Sequence, residues 1–318
     1  MIENADIFVT GGAGTLGRAI ARRRKTEGWT GKLTVYSSDE HKHAYMRRFY
    51  PDVNYVCGDI RNPDTLYNAM VGHDVVIHAA AVKVIPVSEY DSVDTFDVNV
   101  LGSQIVCATA IRAQVKHALF ISTDKACHPA NAYGASKMMM EKIVQEYART
   151  DLGTQFHLVR YGNVLESTGS VVEAWHNAVK RGEAIKMTDP DMTRFWLSPN
   201  EAVNYVEDAF KFAPGLIYVP KMKALSIQKM AEYTVLYSGS KAVPNDVQIE
   251  RIPLRPGEKM HETLVTEEET HYALDGAGFY LIRPTTGQRT DSVCEPFTSN
   301  VAEELTQGEL LNMLAEEQ

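Results

Sequence analysis

Ser122-Thr123-Asp124-Lys125 closes one apolar run, and Tyr133, with Lys137 four positions later, opens the helix-like stretch that follows. Together they offer a hydroxyl, a carboxylic acid, an amine, and a phenol with a second amine. A lysine one helical turn beyond a tyrosine lies on the same helix face. Its ammonium favours phenolate, lowering a phenol pKa that is ~10 when unperturbed. The spacing therefore predicts a tyrosine base able to take a proton from an alcohol. Asp124 and Lys125 add an acid and a base for which alcohol oxidation alone has no use. A Tyr-x-x-x-Lys pair in isolation is equally an ordinary surface pair, so the surrounding elements decide its meaning.

Those elements alternate. Ile7-Phe8-Val9, Leu33 to Tyr36, Tyr55-Val56-Cys57, Val75-Val76-Ile77, Ala118 to Ile121 and Phe156 to Arg160 read as buried parallel strands. Leu16 to Glu27, Thr65 to Met70 and Thr95 to Ala113 read as crossover helices. The alternation predicts an α/β fold with a doubly wound parallel sheet. Beyond the sixth strand Pro190, Pro199, Pro214, Pro220, Pro244, Pro253 and Pro256 separate shorter elements, with helices expected over Ser170 to Lys180, Pro199 to Phe212 and Ser226 to Tyr237. Residues 1–160 are thus expected to form a dinucleotide-binding domain. Residues 161–318 form mainly a smaller lobe over the sheet's carboxyl edge, with some segments returning to the first domain.

Directly after the first strand comes Thr10-Gly11-Gly12-Ala13-Gly14-Thr15-Leu16-Gly17, leading into a helix. In this context Gly11 allows the tight turn, Gly14 lets backbone N–H groups approach a pyrophosphate, and Gly17 permits close helix–strand packing. After the second strand the chain reads Tyr36-Ser37-Ser38-Asp39-Glu40, with Lys42 close behind. Small hydroxyls beside a lysine point to NADP, with NAD left open. Asp59-Ile60 is placed to meet the adenine, and Ala79-Ala80-Ala81 offers a floor of small residues. His78 and His117, at strand ends, read as packed or capping side chains. No histidine, cysteine and carboxylate group has metal-ligand spacing.

The chain has 318 residues, a formal charge of -9 and 44% hydrophobic residues. This balance fits a soluble globular protein and disfavours nucleic acid or an anionic membrane as partner. An anionic ligand then needs a local group of basic side chains. Cys57, Cys107, Cys127 and Cys294 are scattered without pattern, which fits reduced thiols in the cytoplasm. No signal peptide and no apolar run of transmembrane length is evident.

The glycine turn, Asn99, Thr123, Tyr133 and Lys137 together resemble an extended short-chain dehydrogenase/reductase. More closely, the chain resembles the soluble, 5-inverting UDP-N-acetylglucosamine 4,6-dehydratases of bacterial polysaccharide biosynthesis. The matching stretches are Ala80-Ala81-Val82-Lys83, Ser122 to Ala126, Asn131 to Lys137, Val159 to Val164, Met192-Thr193-Arg194-Phe195-Trp196 and Arg255-Pro256-Gly257-Glu258-Lys259. The likeness runs from the first strand to about Leu314. Two positions depart from the family pattern. Where Gly-Ser-Arg-Gly-Ser is usual, this chain has Glu166-Ser167-Thr168-Gly169-Ser170, which removes one anion contact. Ser38 stands where NADP-binding members often carry Arg.

The resemblance implies a tightly bound, recycled nicotinamide cofactor, a UDP-sugar substrate and a homo-oligomer. It also implies roles. Tyr133 takes the C4 hydroxyl proton, Lys137 also holds the nicotinamide ribose, Thr123 bonds O4, Asp124 is the acid for the departing C6 hydroxyl, and Lys125 is the base at C5. Asn99 joins the cofactor set. Lys83, Arg194 and Arg255 are expected at the diphosphate, Glu258 at the uridine ribose and Asn163 at the sugar or phosphate. A lysine base must be neutral, so Lys125 is expected to be shifted down, with Asp124 protonated. A 4-epimerase, a C5-retaining dehydratase and a non-catalytic dinucleotide sensor are the competing readings; the first has no use for the acid and base at 124 and 125.

Overall fold

The computed structural model describes residues 2–165, 167, 170–237, 248–285, 289 and 294–315. Its centre is a strand of four buried residues, β1 (Ile7–Thr10). Residues buried on both faces need no polar alternation, which is why the strands of this half are short apolar runs. In chain order there follow α1 (Thr15–Glu27), β2 (Leu33–Ser37), α2 (Glu40–Arg47), β3 (Asn54–Cys57), α3 (Pro63–Met70) and β4 (Val75–His78). Next come α4 (Ile85–Tyr90), α5 (Ser92–Phe96), α6 (Gly102–Arg112), β5 (His117–Thr123), α7 (Ala132–Tyr147) and β6 (Gln155–Tyr161). Local chemistry sets the ends: α1 stops at Gly28, in the left-handed region at φ 69°. Pro63 opens α3 behind Asn62, whose side chain accepts from the Thr65 amide.

The large sheet has the order β3-β2-β1-β4-β5-β6, all parallel, extended by Ile217–Pro220 parallel to β6. Phe279–Ile282 and Ala273–Gly276 complete it as an antiparallel edge. The direction of winding reverses between β1 and β4, and a crevice opens there at the carboxyl ends of the strands. All six expected strands form.

The expected helix over Thr95 to Ala113 differs in detail. It is broken into α5, a π-helical turn at Asp97–Leu101, and α6. The wider turn carries Asn99, which accepts from the Val82 amide at 2.8 Å and donates to the Val82 carbonyl at 2.8 Å. Such a turn is a usual device for turning one side chain out of helical register.

After β6 the helices fall at Val171–Arg181, Pro199–Ala209 and Ile227–Tyr237, close to their expected spans. Ser198 and Glu201 make a capping box at the second of these. Small sheets pair Asn163–Val164 and Ala224–Ser226 with Thr193–Leu197, Ile185–Met187 with Ile249–Arg251, and Thr263–Val265 with Phe297–Thr298. A second apolar core here includes Leu165, Trp175, Trp196, Met230 and Leu310. Pro244 lies outside the described residues. No helix among those described is long and apolar enough to cross a membrane.

Candidate active site

A cavity of about 760 Å³ occupies the crevice and continues past the ends of β5 and β6. Gly11, Gly14, Thr15, Leu16, Ser37, Ser38, Lys42, Asp59, Ile60 and Ala79 to Ala81 line its first half. Gly11 adopts φ 63°, and a Cβ there would meet the Ala80 backbone at 2.7 Å. A Cβ on Gly17 would fall 1.9 Å from the Gly12 carbonyl oxygen, so this residue serves helix–turn packing and does not reach the cavity wall. The N-terminus of α1, with its free N–H groups, faces this turn. A floor of three alanines below a glycine turn and a helix N-terminus suits a flat dinucleotide with a central pyrophosphate.

The polar rim is already engaged. Lys42 Nζ lies 3.2 Å from Asp39 Oδ2. Ser37 Oγ and His43 Nε2 share a hydrogen bond of 2.7 Å. Arg61 donates to both Asp59 oxygens and, at 2.8 Å, to Asp94, tying the loop after β3 to α5. Asn99 is buried away from the cavity. It holds the Val82 backbone and donates to Ser136 Oγ at 2.9 Å, and so fixes the cavity floor against α7.

Thr123, Lys125, Tyr133 and Lys137 line the second half. β5 delivers Ser122 and Thr123, a 3₁₀ turn at Asp124–Ala126 follows, and Thr123 caps that turn. Asn131 caps α7 through the Gly134 amide and so places Tyr133 and Lys137 on its first turns. Asp124 is fully buried directly behind Thr123 and Lys125 and does not itself line the cavity; its Oδ1 accepts from Thr123 Oγ1 at 2.8 Å and from Lys125 Nζ at 2.9 Å. Its Oδ2 is buried without a hydrogen-bond partner among the described residues. Lys125 Nζ also donates to Asn163 Oδ1 at 3.0 Å and lies 3.5 Å from Glu262 Oε1.

Burial dominates the electrostatics. It raises the Asp124 carboxyl above the usual range, against the pull of Lys125, in the direction an acid requires. Burial also pushes the Lys125 ammonium down, but Asp124 and Glu262 outweigh it, and its pKa is raised. That is opposite to the shift the sequence led us to expect. Tyr133 is pushed up to about 12, first by burial, although Lys125 and a hydrogen bond with Thr123 favour phenolate. The lowering expected from Lys137 is not found; the cation that favours phenolate is Lys125. Lys137 itself is held down at about 8 by burial, with Glu141 opposing, and its Nζ donates to Met140 Sδ at 3.3 Å.

Of the residues expected at the substrate, Lys83, Asn163 and Arg255 line the cavity. Lys83 is held below the lysine range by its crowded surroundings and by Lys42 and Arg18. Cations that repel one another at a cavity wall suit an anionic ligand. Arg194 and Glu258 do not line it. Arg194 donates to the Thr193 and Met260 carbonyls at 2.8 and 3.2 Å, and Glu258 accepts from the Arg255 amide at 3.1 Å. Trp196 packs in the second core and also reaches the cavity. Glu166, Thr168 and Gly169 lie outside the described residues.

Two groups of side chains escaped the sequence reading. Glu262 meets Lys125 from a segment 137 positions further on, with no local motif to announce it. Behind Ser122, the buried Arg160 donates to Glu141 at 2.8 and 2.7 Å and to Glu269 at 2.8 Å through both terminal nitrogens. Ser122 Oγ donates to the same Glu141 at 2.5 Å. A charged residue within a mostly apolar strand was the available signal for Arg160.

The model of the polysaccharide biosynthesis protein family matches residues 7–284. The chain belongs to this family. A relative, the UDP-N-acetylglucosamine 4,6-dehydratase (inverting) of Campylobacter jejuni, is 32% identical over 90% of this chain and 84% of its own. A UDP-glucose 4-epimerase of Rickettsia felis is 36% identical over 89% and 84%. Among solved structures, the X-ray structure of Pen from Bacillus thuringiensis superimposes with a TM-score of 0.90 at 29% identity, covering 100% of this chain and 99% of that one. The doubly wound α/β fold expected from the alternating elements is the one observed, and that structure shares it over its whole length.

Proposed function

We propose that this protein is a UDP-N-acetylglucosamine 4,6-dehydratase that inverts C5 and yields a UDP-2-acetamido-2,6-dideoxy-hexos-4-ulose. One observation carries the reading: Lys125, bonded at 2.9 Å to the buried Asp124, shares a cavity with Tyr133 and Lys137. Alcohol oxidation uses the second pair; removing water also requires the first. A nicotinamide dinucleotide in the first half of the cavity, NADP with Lys42 at its 2′-phosphate, supplies hydride acceptance from C4 and hydride return to C6. Tyr133 takes the C4 hydroxyl proton, Thr123 bonds O4, and Lys137 holds the ribose and, as a cation, favours the phenolate. Lys125 then takes the C5 proton, which the C4 ketone has made acidic. The C5–H electron pair becomes the C5–C6 double bond, the C6–O bond breaks, and Asp124 gives its proton to the departing hydroxide to form water. Asn163 holds Lys125 in line. Lys83 and Arg255 face the diphosphate, joined by Arg194 and Glu258 on substrate closure.

In this reading residues 1–160 hold the cofactor and 161–318 mainly the sugar nucleotide. The working form is a homo-oligomer in the cytoplasm, supported by the free thiols and by exposed Tyr90, Val93 and Phe96 on α4 and α5. A second reading, 4-epimerase, is favoured by the 36% identity to the Rickettsia protein. The test is incubation of purified protein with UDP-N-acetylglucosamine and no added cofactor, read by mass spectrometry. Loss of one water supports the dehydratase. Unchanged mass with an altered NMR spectrum establishes the epimerase, and no change refutes the dehydratase.

A further inference from the structure

Taking the dehydratase reading as its basis, we propose that Glu262 is the positioning residue that holds Lys125 for elimination. Through its contacts with Arg194 and Lys259, it would set the pH at which that amine can accept the C5 proton. Glu262 is 3% exposed, does not line the cavity and meets the Lys125 ammonium together with Arg194 and Lys259, so its reach to the reaction is through Lys125. Its Oε1 lies 3.5 Å from Lys125 Nζ and 3.8 Å from Arg194 Nε; its Oε2 lies 3.6 Å from Lys259 Nζ. That Oε2 has no hydrogen-bond partner among the described residues. The backbone is pinned as well. Glu262 N donates to Ser299 Oγ at 2.9 Å, and Ser299 N donates to the Glu262 carbonyl at 2.8 Å.

An ammonium has three N–H donors. Among the described residues Asp124, Asn163 and Glu262 supply the three side-chain oxygens around Lys125 Nζ. To take the C5 proton the amine must keep two donors and free one lone pair. The longest of the three contacts, to Glu262, is the one that can slacken without disturbing the groups next to the sugar. The charges facing Lys125 are Asp124 on its own turn, Tyr133 on α7, Arg194 on Thr193–Leu197, and Glu262. Both carboxylates favour the charged amine and Arg194 opposes it. Arg194 and Lys259 draw on Glu262, moderating its hold. Proton transfer leaves Lys125 cationic beside Glu262, its electron pair having become the N–H bond, while the C5–H pair forms the alkene and water leaves with the Asp124 proton.

The experiment measures water loss from UDP-N-acetylglucosamine against pH by mass spectrometry, using the holoenzyme as purified. The rate should rise with pH as Lys125 loses its proton. Glu262→Gln removes a negative charge and should move that rise to lower pH by at least about one unit, a tenfold change in neutral amine at fixed pH. Lys259→Met, which leaves Glu262 less shared, should move it to higher pH. Glu262→Asp should restore the wild-type position at reduced rate. A lower rate in Glu262→Gln with the rise unmoved overturns the inference, since a purely structural role would do that. If Glu262→Gln fails to fold, an unmoved rise in Lys259→Met overturns it and an upward shift supports it. Failure of the wild type to lose water refutes the dehydratase reading and this inference together. Water loss with both variants unmoved refutes this inference alone.

Discussion

Replacing Lys137 by Met should stabilise the protein, although Lys137 lines the cavity. Its side chain is 4% exposed, and Nζ donates to nothing stronger than the Met140 sulfur at 3.3 Å. Burial holds the ammonium at about 8, against Glu141, where an ordinary lysine stands at 10.5. The sign follows from linkage. A pKa depressed by folding means that the folded state disfavours the charge, so the penalty is full below about pH 8 and fades as pH rises towards ~10.4. A gap of two to three units corresponds to about 3 kcal/mol at neutral pH. Methionine keeps much of the apolar stem and removes the charge. Urea denaturation at pH 7 should therefore show Lys137→Met more stable by about 2–4 kcal/mol, with the difference shrinking to near zero at pH ~10. The same variant should lose C4 oxidation, exchanging activity for stability. A variant less stable at pH 7, or an advantage independent of pH, would refute the reasoning.

Arg160→Met should act in the opposite sense, because it strands two buried carboxylates. A loss of about 3–5 kcal/mol is expected at pH 8. Glu269 is held below the usual carboxylate range because Arg160 outweighs burial. Without that cation its folded pKa rises, so the gap between variant and wild type should narrow as pH falls towards ~4; calorimetry at two pH values checks this. Lys125→Ala should halt water loss while the reduced-nicotinamide absorbance band still grows on adding substrate; normal product formation would remove Lys125 from its role. Tyr133→Phe should suppress that band by at least ~100-fold in rate, which stopped-flow absorbance measures. Gly17→Ala forces a Cβ to within 1.9 Å of the Gly12 carbonyl oxygen, so the purified variant should carry little bound dinucleotide by chromatography after denaturation.

Five of the six parallel strands were legible because they are largely buried on both faces and must be apolar runs, as in Ile7–Thr10; β3, expected to be buried as well, is instead the sheet's edge strand, with Asn54 and Cys57 exposed. The glycine turn was legible because a tight turn beneath a helix N-terminus leaves few residue choices, and Gly11 at φ 63° bears that out. The break of the 95–113 helix was not, since a π-turn at Asp97–Leu101 depends on Asn99 finding the Val82 backbone, a tertiary event. Electrostatics were the least legible part. Local spacing pairs Lys125 with Asp124, but burial and the distant Glu262 decide their protonation. Likewise the Tyr133–Lys137 spacing implies a lowered phenol, and the depth of the site raises it instead.

The most direct measurement follows one hydride. UDP-N-acetylglucosamine carrying deuterium at C4 is incubated with the protein in ordinary water, and the product is examined by NMR. The account predicts deuterium at C6 and a solvent proton at C5. Deuterium retained at C4, or lost to solvent, would contradict it.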